Sequence, residues 1–171
     1  MPDASEVLDS ADALEPIISA NISATESGRR LAAPVVAAIR AAGLQRLMLT
    51  AENGGLEAPL LTALEIYERL AGVDPSVSWI VWNNTLPCLF SRFLNSPARA
   101  EIFADPDWLF ASSTRPSGRA VAEGEGYRLT GRWALVSGCE LAEWMPLTAM
   151  VPRDDGEEAL RFFFVHRSEL R

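Results

Sequence analysis

The chain has 171 residues, 49% of them hydrophobic and 22% charged, the composition of an ordinary globular protein and a length that suits one full domain or two small ones. Its 15 basic residues, every one an arginine, stand against 23 acidic residues for a net charge of −8. That balance argues against nucleic acid or an anionic membrane as partner, because both select a basic face, and the composition excludes a disordered or collagen-like chain.

Leu14, Ile18 and Ile22, and then Val35, Ile39 and Ala42, have the spacing of two amphipathic helices, with Pro34 suited to the first turn of the second and Gly43 to its end. Asn53-Gly54-Gly55 predicts a tight turn with positive φ. Pro59 opens the next helix, whose face is expected to be Leu60, Leu64, Tyr67 and Ala71, with Glu65, Glu68 and Arg69 opposite and the end at Gly72. Asp74-Pro75-Ser76 is a cap and first-turn signal for a longer helix from Val77 to about Leu94. That helix is apolar on nearly every side, as befits the centre of a bundle, and its Trp79, Trp82, Phe90 and Phe93 read first as core. Asn83 and Asn84 within it need partners or face a cavity. The stretch from Trp79 to Leu94 also contains Ser91 and Arg92, so it is no membrane span. Ser96-Pro97 starts one more short helix, ending near Asp105-Pro106.

From Trp108 the pattern changes to short β-rich segments: Trp108 to Thr114, Arg119 to Glu123, Tyr127 to Val136, Met145 to Val151 and Leu160 to Val165. They are punctuated by Pro116, Gly118, Gly124, Gly126, Gly138 and Asp154-Asp155-Gly156, and predict a meander of antiparallel strands. The expected fold is therefore α+β, with an all-helical N-terminal domain (1–107) followed by a partial antiparallel β-barrel or sheet domain (108–171). Such a sheet has open edges, so either another chain covers it or the sequence is part of something longer.

Cys88 and Cys139 read as two buried free thiols of a reducing compartment. With His166 the single histidine and no lysine, a metal site, a Ser-His triad and a Schiff base are all disfavoured, and no metal is expected. His166 reads as a strand-end residue, Glu52 as a turn residue, and Arg115 and Arg119 as solvated surface. The start, Met1 to Ala13, is acidic and lacks the basic and apolar regions of a signal peptide, so the expectation is a cytoplasmic protein.

The strongest local signal is Gly131-Arg132-Trp133-Ala134-Leu135-Val136-Ser137-Gly138-Cys139-Glu140-Leu141-Ala142-Glu143-Trp144. Here a strand ends in a small-residue corner at Ser137-Gly138 that exposes a hydroxyl and backbone amides, as a planar cofactor requires, or as a plain Ser-Gly turn would. This stretch resembles the middle-domain signature of the acyl-CoA dehydrogenase superfamily, and most of all its flavin-dependent monooxygenase branch of aromatic and steroid hydroxylases. Three further pieces fit in order: Arg40-Ala41-Ala42-Gly43-Leu44 with Glu52-Asn53-Gly54-Gly55, Asp74-Pro75-Ser76-Val77-Ser78-Trp79, and Ser112-Ser113-Thr114-Arg115-Pro116-Ser117-Gly118.

The resemblance implies FAD or FMN lying with its isoalloxazine against the β segment. Ser137 would approach the ring near N5 and O4, and Ser113 and Thr114 would bond its pyrimidine edge. Leu135 stands where many dehydrogenases carry a flavin-packing Trp. Thr114-Arg115-Pro116 replaces the dehydrogenases' usual Thr-Glu-Pro, which weakens the case for an acyl-CoA substrate. Trp79 and Asn83 would line a substrate pocket. The resemblance also implies a small-molecule substrate, a flavin reductase as partner, and a homo- or hetero-oligomer. It further implies that the family's C-terminal helical bundle, with its catalytic residue, is absent here, so no catalytic residue is assigned. Three functions are carried forward: a monooxygenase-type flavin-dependent oxidoreductase that uses reduced flavin and O₂ on an apolar or aromatic substrate, as a truncated chain or subunit; an FAD-dependent acyl-CoA dehydrogenase; and a catalytically inactive assembly module.

Overall fold

A computed structural model describes residues 3–171. The chain divides into two compact units, one ending at Trp108 and the other running from Leu109 to Arg171.

The first unit is helical: α1 (Ala4–Asp12), α2 (Glu15–Gly28), α3 (Ala33–Ala41), α4 (Leu60–Val73), α5 (Pro75–Phe90) and α6 (Ser96–Ile102). Local chemistry sets the boundaries. Pro34 sits in the first turn of α3, where a missing N–H leaves nothing unpaired, and Gly43 follows the helix end at φ +69°. The Asp74 carboxylate accepts from the Ser76 amide at 2.8 Å to start α5, and the Asn95 side chain accepts from the Ala98 amide at 3.0 Å to start α6. Sequence reading missed α1, although its capping box is present: the Glu6 carboxylate accepts from the Asp3 amide at 2.9 Å.

Two expectations about helix faces are corrected. On α4 the buried residues are Thr62, Ala63, Ile66 and Leu70, whereas Leu60 and Leu64 are 58% and 51% exposed. The helix carries apolar residues on more than one side, so periodicity alone does not choose the packed face. The small Thr62 and Ala63 lie toward the core, and Tyr67 ties α4 to α5 through its hydroxyl and the Thr85 hydroxyl at 2.8 Å. On α5, which ends at Phe90 and gives way to a 3-10 turn (Ser91–Phe93), Trp79 and Trp82 are exposed and stacked on each other at 5.0 Å; Phe93 is exposed as well. These aromatics are not core. Asn83 and Asn84 are buried and use their side-chain amides on the carbonyls one turn back, Trp79 and Ile80, each at 2.9 Å.

The second unit is one five-stranded sheet of β1 (Leu109–Phe110), β2 (Ser113–Glu123), β3 (Gly126–Gly131), β4 (Ala142–Pro152) and β5 (Glu158–His166). It is mixed, not an antiparallel meander. The β2–β3 and β4–β5 pairs are antiparallel hairpins, but β1 and β2 both run parallel to β4 along one of its edges while β5 takes the other. The cause is residues 132–141, which do not turn straight back beside β3 but carry the chain past β2. β3 accordingly stops at Gly131 rather than Val136, and the segments expected at Trp108–Thr114 and Arg119–Glu123 become β1 and one continuous β2. Apolar residues of β4 form two buried clusters, Ala142, Met145 and Leu147 with Ala111, and Ala149 and Val151 with Ala120 of β2, and Trp133 packs against both.

Candidate functional site

Strand β2 loses register with β4 near its start. Ser113 pairs with Leu147 and Gly118 with Ala149, so Thr114, Arg115, Pro116 and Ser117 bulge past the single residue Thr148. Thr148 is fully buried and serves both sides of that gap. Its hydroxyl donates to the Ser113 carbonyl at 3.0 Å, and its own main-chain carbonyl accepts from the indole Nε1 of Trp133 at 2.8 Å.

The indole of Trp133 lies over a cross-strand pair of glycines, Gly118 and Gly131. A Cβ on Gly118 would stand 2.2 Å from Trp133 Cζ2, so only glycine there leaves room for the ring, while one on Gly131 would first meet the backbone of Gly118 at 2.7 Å. Beyond Trp133 the chain leaves the ladder. Leu135 adopts a left-handed conformation, φ +59°, which costs a side-chain-bearing residue about 1–2 kcal/mol, and it projects outward, 84% exposed. A turn follows at once: the Cys139 amide donates to the Val136 carbonyl at 3.1 Å, with half-buried Ser137 and then Gly138, φ +79°, as its central residues. Positive φ at the third position is the mark of a type II turn, and the turn's own bond uses neither the Ser137 nor the Gly138 amide.

This segment borders a groove of about 590 Å³, lined by Leu135, Val136, Ser137 and Cys139 together with Trp133, Met145 and Leu147. Arg132, Leu170 and Arg171 close its rim. A second groove, of about 530 Å³, shares Trp133, Leu147, Leu170 and Arg171 with the first and is otherwise lined by the β3 strand, Val165 and Glu169. Among the described residues no carboxylate or imidazole lines the first groove. Its lining is that of a binding site, mostly apolar, with Ser137 and the two arginines as its polar members.

Leu135 and Ser137 therefore share one groove. Ser113 is buried, paired with Leu147 and bonded through its carbonyl to Thr148, while Thr114 is exposed on the bulge itself. Neither borders the groove. Trp79 and Asn83 belong to the helical unit, joined by the bond from the Asn83 amide to the Trp79 carbonyl. Arg115 is exposed on the bulge, and exposed Arg119 pairs with Glu158 at 2.6 Å. His166 ends β5 with Nδ1 2.7 Å from the Ser168 hydroxyl and its ring edge-on to Trp144 at 5.0 Å. Glu52 lies in a 3-10 turn, 3.3 Å from the Asn53 side-chain amide.

The two cysteines differ, against the expectation of two buried thiols. Cys88 is buried, its thiol pushed up to about 12 by loss of water despite the opposing charge of Arg46. Cys139 is exposed, because its turn lifts it to the groove rim.

Sequence reading passed over Trp133, Thr148, Gly118 and Gly131. A signal existed: the two glycines are equidistant from the Gly124-Glu125 hairpin turn, so a Glu123–Gly126 closure puts them opposite each other two residues before a tryptophan.

No family model matches the chain. Among curated proteins it is 31% identical over 168 residues to the oxygenase subunit HsaA of a flavin-dependent monooxygenase from Mycobacterium tuberculosis, covering 98% of this chain and 43% of that protein. It is also 31% identical over 153 residues to a pigment production hydroxylase of Rhodococcus erythropolis, covering 88% and 39%. In solved structures, the HsaA monooxygenase superposes with a TM-score of 0.90 at 31% identity over 98% of this chain and 44% of that one. XiaF from Streptomyces sp., in complex with FADH2 and glycerol, superposes at 0.89 and 30% identity over 98% and 43%. The chain thus spans about two fifths of the length of the relatives it matches, and its homologues are oxygenase components of flavin-dependent monooxygenases, of acyl-CoA dehydrogenase-like fold.

Proposed function

We propose that this chain carries part of the flavin site of a monooxygenase oxygenase component, which hydroxylates a small apolar or aromatic molecule in the cytoplasm as an oligomer served by a separate flavin reductase. The observation that carries the reading is the groove at Leu135–Ser137, in a chain alike over nearly its whole length to proteins of that kind.

The residues fit the group. An isoalloxazine is a flat ring system, apolar at its benzenoid end and rich in hydrogen-bonding atoms along its pyrimidine edge. The groove offers Met145, Leu147 and Trp133 as apolar lining and Ser137 as a polar member. Leu135 presents an apolar side chain above the groove without the area of an aromatic ring. The exposed Thr114 hydroxyl and the Arg115 guanidinium stand on the β2 bulge for contact with the ligand's periphery. Reduced flavin, FAD or FMN, supplies the electrons with which O₂ is activated for hydroxylation, and polar groups near its N5 and O4 tune that capacity. The protein's share is to orient the ring, bond its polar edge and keep bulk water from one face.

Arg115 where an acid is usual in the acyl-CoA dehydrogenases, together with monooxygenases as relatives, favours hydroxylation over desaturation. Titrating the purified chain with FMN and FAD, oxidised and dithionite-reduced, tests the reading. Saturable binding that is tighter for reduced flavin is expected. Absence of binding to a folded, monodisperse chain would contradict it.

A further inference from the structure

The residues assigned to the flavin come from two separate stretches, Ser113-Thr114 and Leu135–Ser137, and neither stretch is held to the other by the strand ladder. β2 has left register with β4 after Ser113, and β3 has ended at Gly131. Apolar packing brings them near each other, since Ser113 pairs with Leu147 and Val136 packs on the cluster that holds Leu147 and Ala111. The polar link between them is a chain of two hydrogen bonds through one buried residue: Trp133 Nε1 to the Thr148 carbonyl at 2.8 Å, and the Thr148 hydroxyl to the Ser113 carbonyl at 3.0 Å.

We propose that Trp133 is a positioning residue of the site, latched on Gly118 and Gly131 and bonded through Thr148, and that this latch sets the Leu135–Ser137 rim in register with the Ser113 edge. Three observations converge. The seat is made for the ring, because a methyl group at Gly118 would fall 2.2 Å from the indole. Trp133 packs against both apolar clusters of the sheet, so its position reports the whole β4 surface to the segment that follows. Leu135, two residues on, keeps a left-handed backbone that persists only where its surroundings over-determine it, and the fixed points on either side are Trp133 and the Val136–Cys139 turn. The indole also lines both grooves.

The inference takes the identity of its ligand from the flavin reading, and its test separates the two. In the full 171-residue chain without ligand, hydrogen exchange is followed at the amides of Cys139 and Leu141, which close the turn. Trp133→Phe removes the indole N–H and keeps a ring, Gly118→Ala evicts the ring, Thr148→Val removes the hydroxyl, and Thr148→Ser restores it. Exchange at those two amides should accelerate about tenfold in the first three variants, the loss expected of one buried hydrogen bond, and return to the original rate in Thr148→Ser. Amides at the centre of the β4–β5 ladder should keep their rates. Titration with reduced FMN should show dissociation constants raised in the same order, with a changed visible circular dichroism of the bound flavin in Trp133→Phe. Unchanged exchange in both Trp133→Phe and Gly118→Ala overturns the proposal, and so does uniform acceleration across the sheet, which makes Trp133 a core residue and no more. If the turn responds as described but the unsubstituted chain takes up no FMN, the positioning role stands and the flavin reading falls.

Discussion

The Arg46 guanidinium donates to the main-chain carbonyl of Phe103 at 2.9 Å, across 57 positions of sequence, from a site only 4% exposed. The same group reaches the carbonyls of Asn53 and Asp105, and its neighbours Gln45 and Arg40 hold Pro106 and Asp107 at 2.8 and 2.9 Å. The segment after α6 is thus fastened by side chains where no helix or strand supplies partners. Arg46→Met strands these carbonyls and should cost about 3 kcal/mol, and Arg46→Lys should recover less than half, because one ammonium cannot reproduce the planar fork. Urea unfolding at neutral pH measures both.

Gly55 and Gly72 make opposite predictions for the same substitution. A Cβ on Gly55 would lie 2.0 Å from the Leu49 carbonyl oxygen, a backbone atom that cannot move aside, whereas one on Gly72 meets nothing within 4 Å. Gly55→Ala should lower stability by more than about 2 kcal/mol. Gly72→Ala, in the last turn of α4, should be neutral or stabilising by up to about 1 kcal/mol. Thermal melts decide.

The corrected face of α4 is testable in the same way. Ile66→Ala, at a fully buried position, should cost about 2–4 kcal/mol, while Leu64→Ala, on the face expected from periodicity but 51% exposed, should cost under about 1 kcal/mol. Equal losses would restore the face expected from periodicity.

Cys88 gives stability a dependence on alkaline pH. Its thiol is neutral in the fold up to about 12, against about 9 for a thiol in water, so the unfolded chain releases this proton at lower pH than the folded one. The contribution is complete below pH 9 and is lost as pH rises from there toward 12, by about 1.4 kcal/mol for each tenfold separation of the two acidities. Burial pushes Tyr67 in the same direction, so the informative quantity is the difference between the parent and Cys88→Ala, which should have the flatter profile between pH 9 and 11. Thiol labelling gives a companion result: one fast site, Cys139, in the native chain, a second only on unfolding, and slower labelling of Cys139 when flavin fills the groove.

The starts and ends of α3, α4 and α5 are legible because proline, glycine and Asp74 act locally, whereas α1 is not, its short apolar pattern giving no periodicity; the Gly54 turn and the β2–β3 hairpin are legible for the same local reason. The parallel pairing of β4 with β2 was not, since it depends on residues 132–141 crossing the sheet, and nothing local distinguishes that crossing from a long hairpin loop. Within the site, Leu135 and Ser137 were found through a resemblance and a small-residue corner. Trp133 and Thr148 were missed because their roles arise from a register shift and a cross-strand glycine pair, both properties of the assembled sheet. Trp79 was legible as an aromatic at helical spacing, but its exposure was not, because burial is decided by the neighbours that α5 receives.

Hydrogen exchange of the full chain with and without saturating reduced FMN tests the central claim most directly, because it reads where the ligand sits. The account predicts protection at residues 133–141 and at 113–118, and none along α1 to α3. Saturable binding that leaves residues 133–141 unprotected, or that protects the helical unit alone, would contradict it.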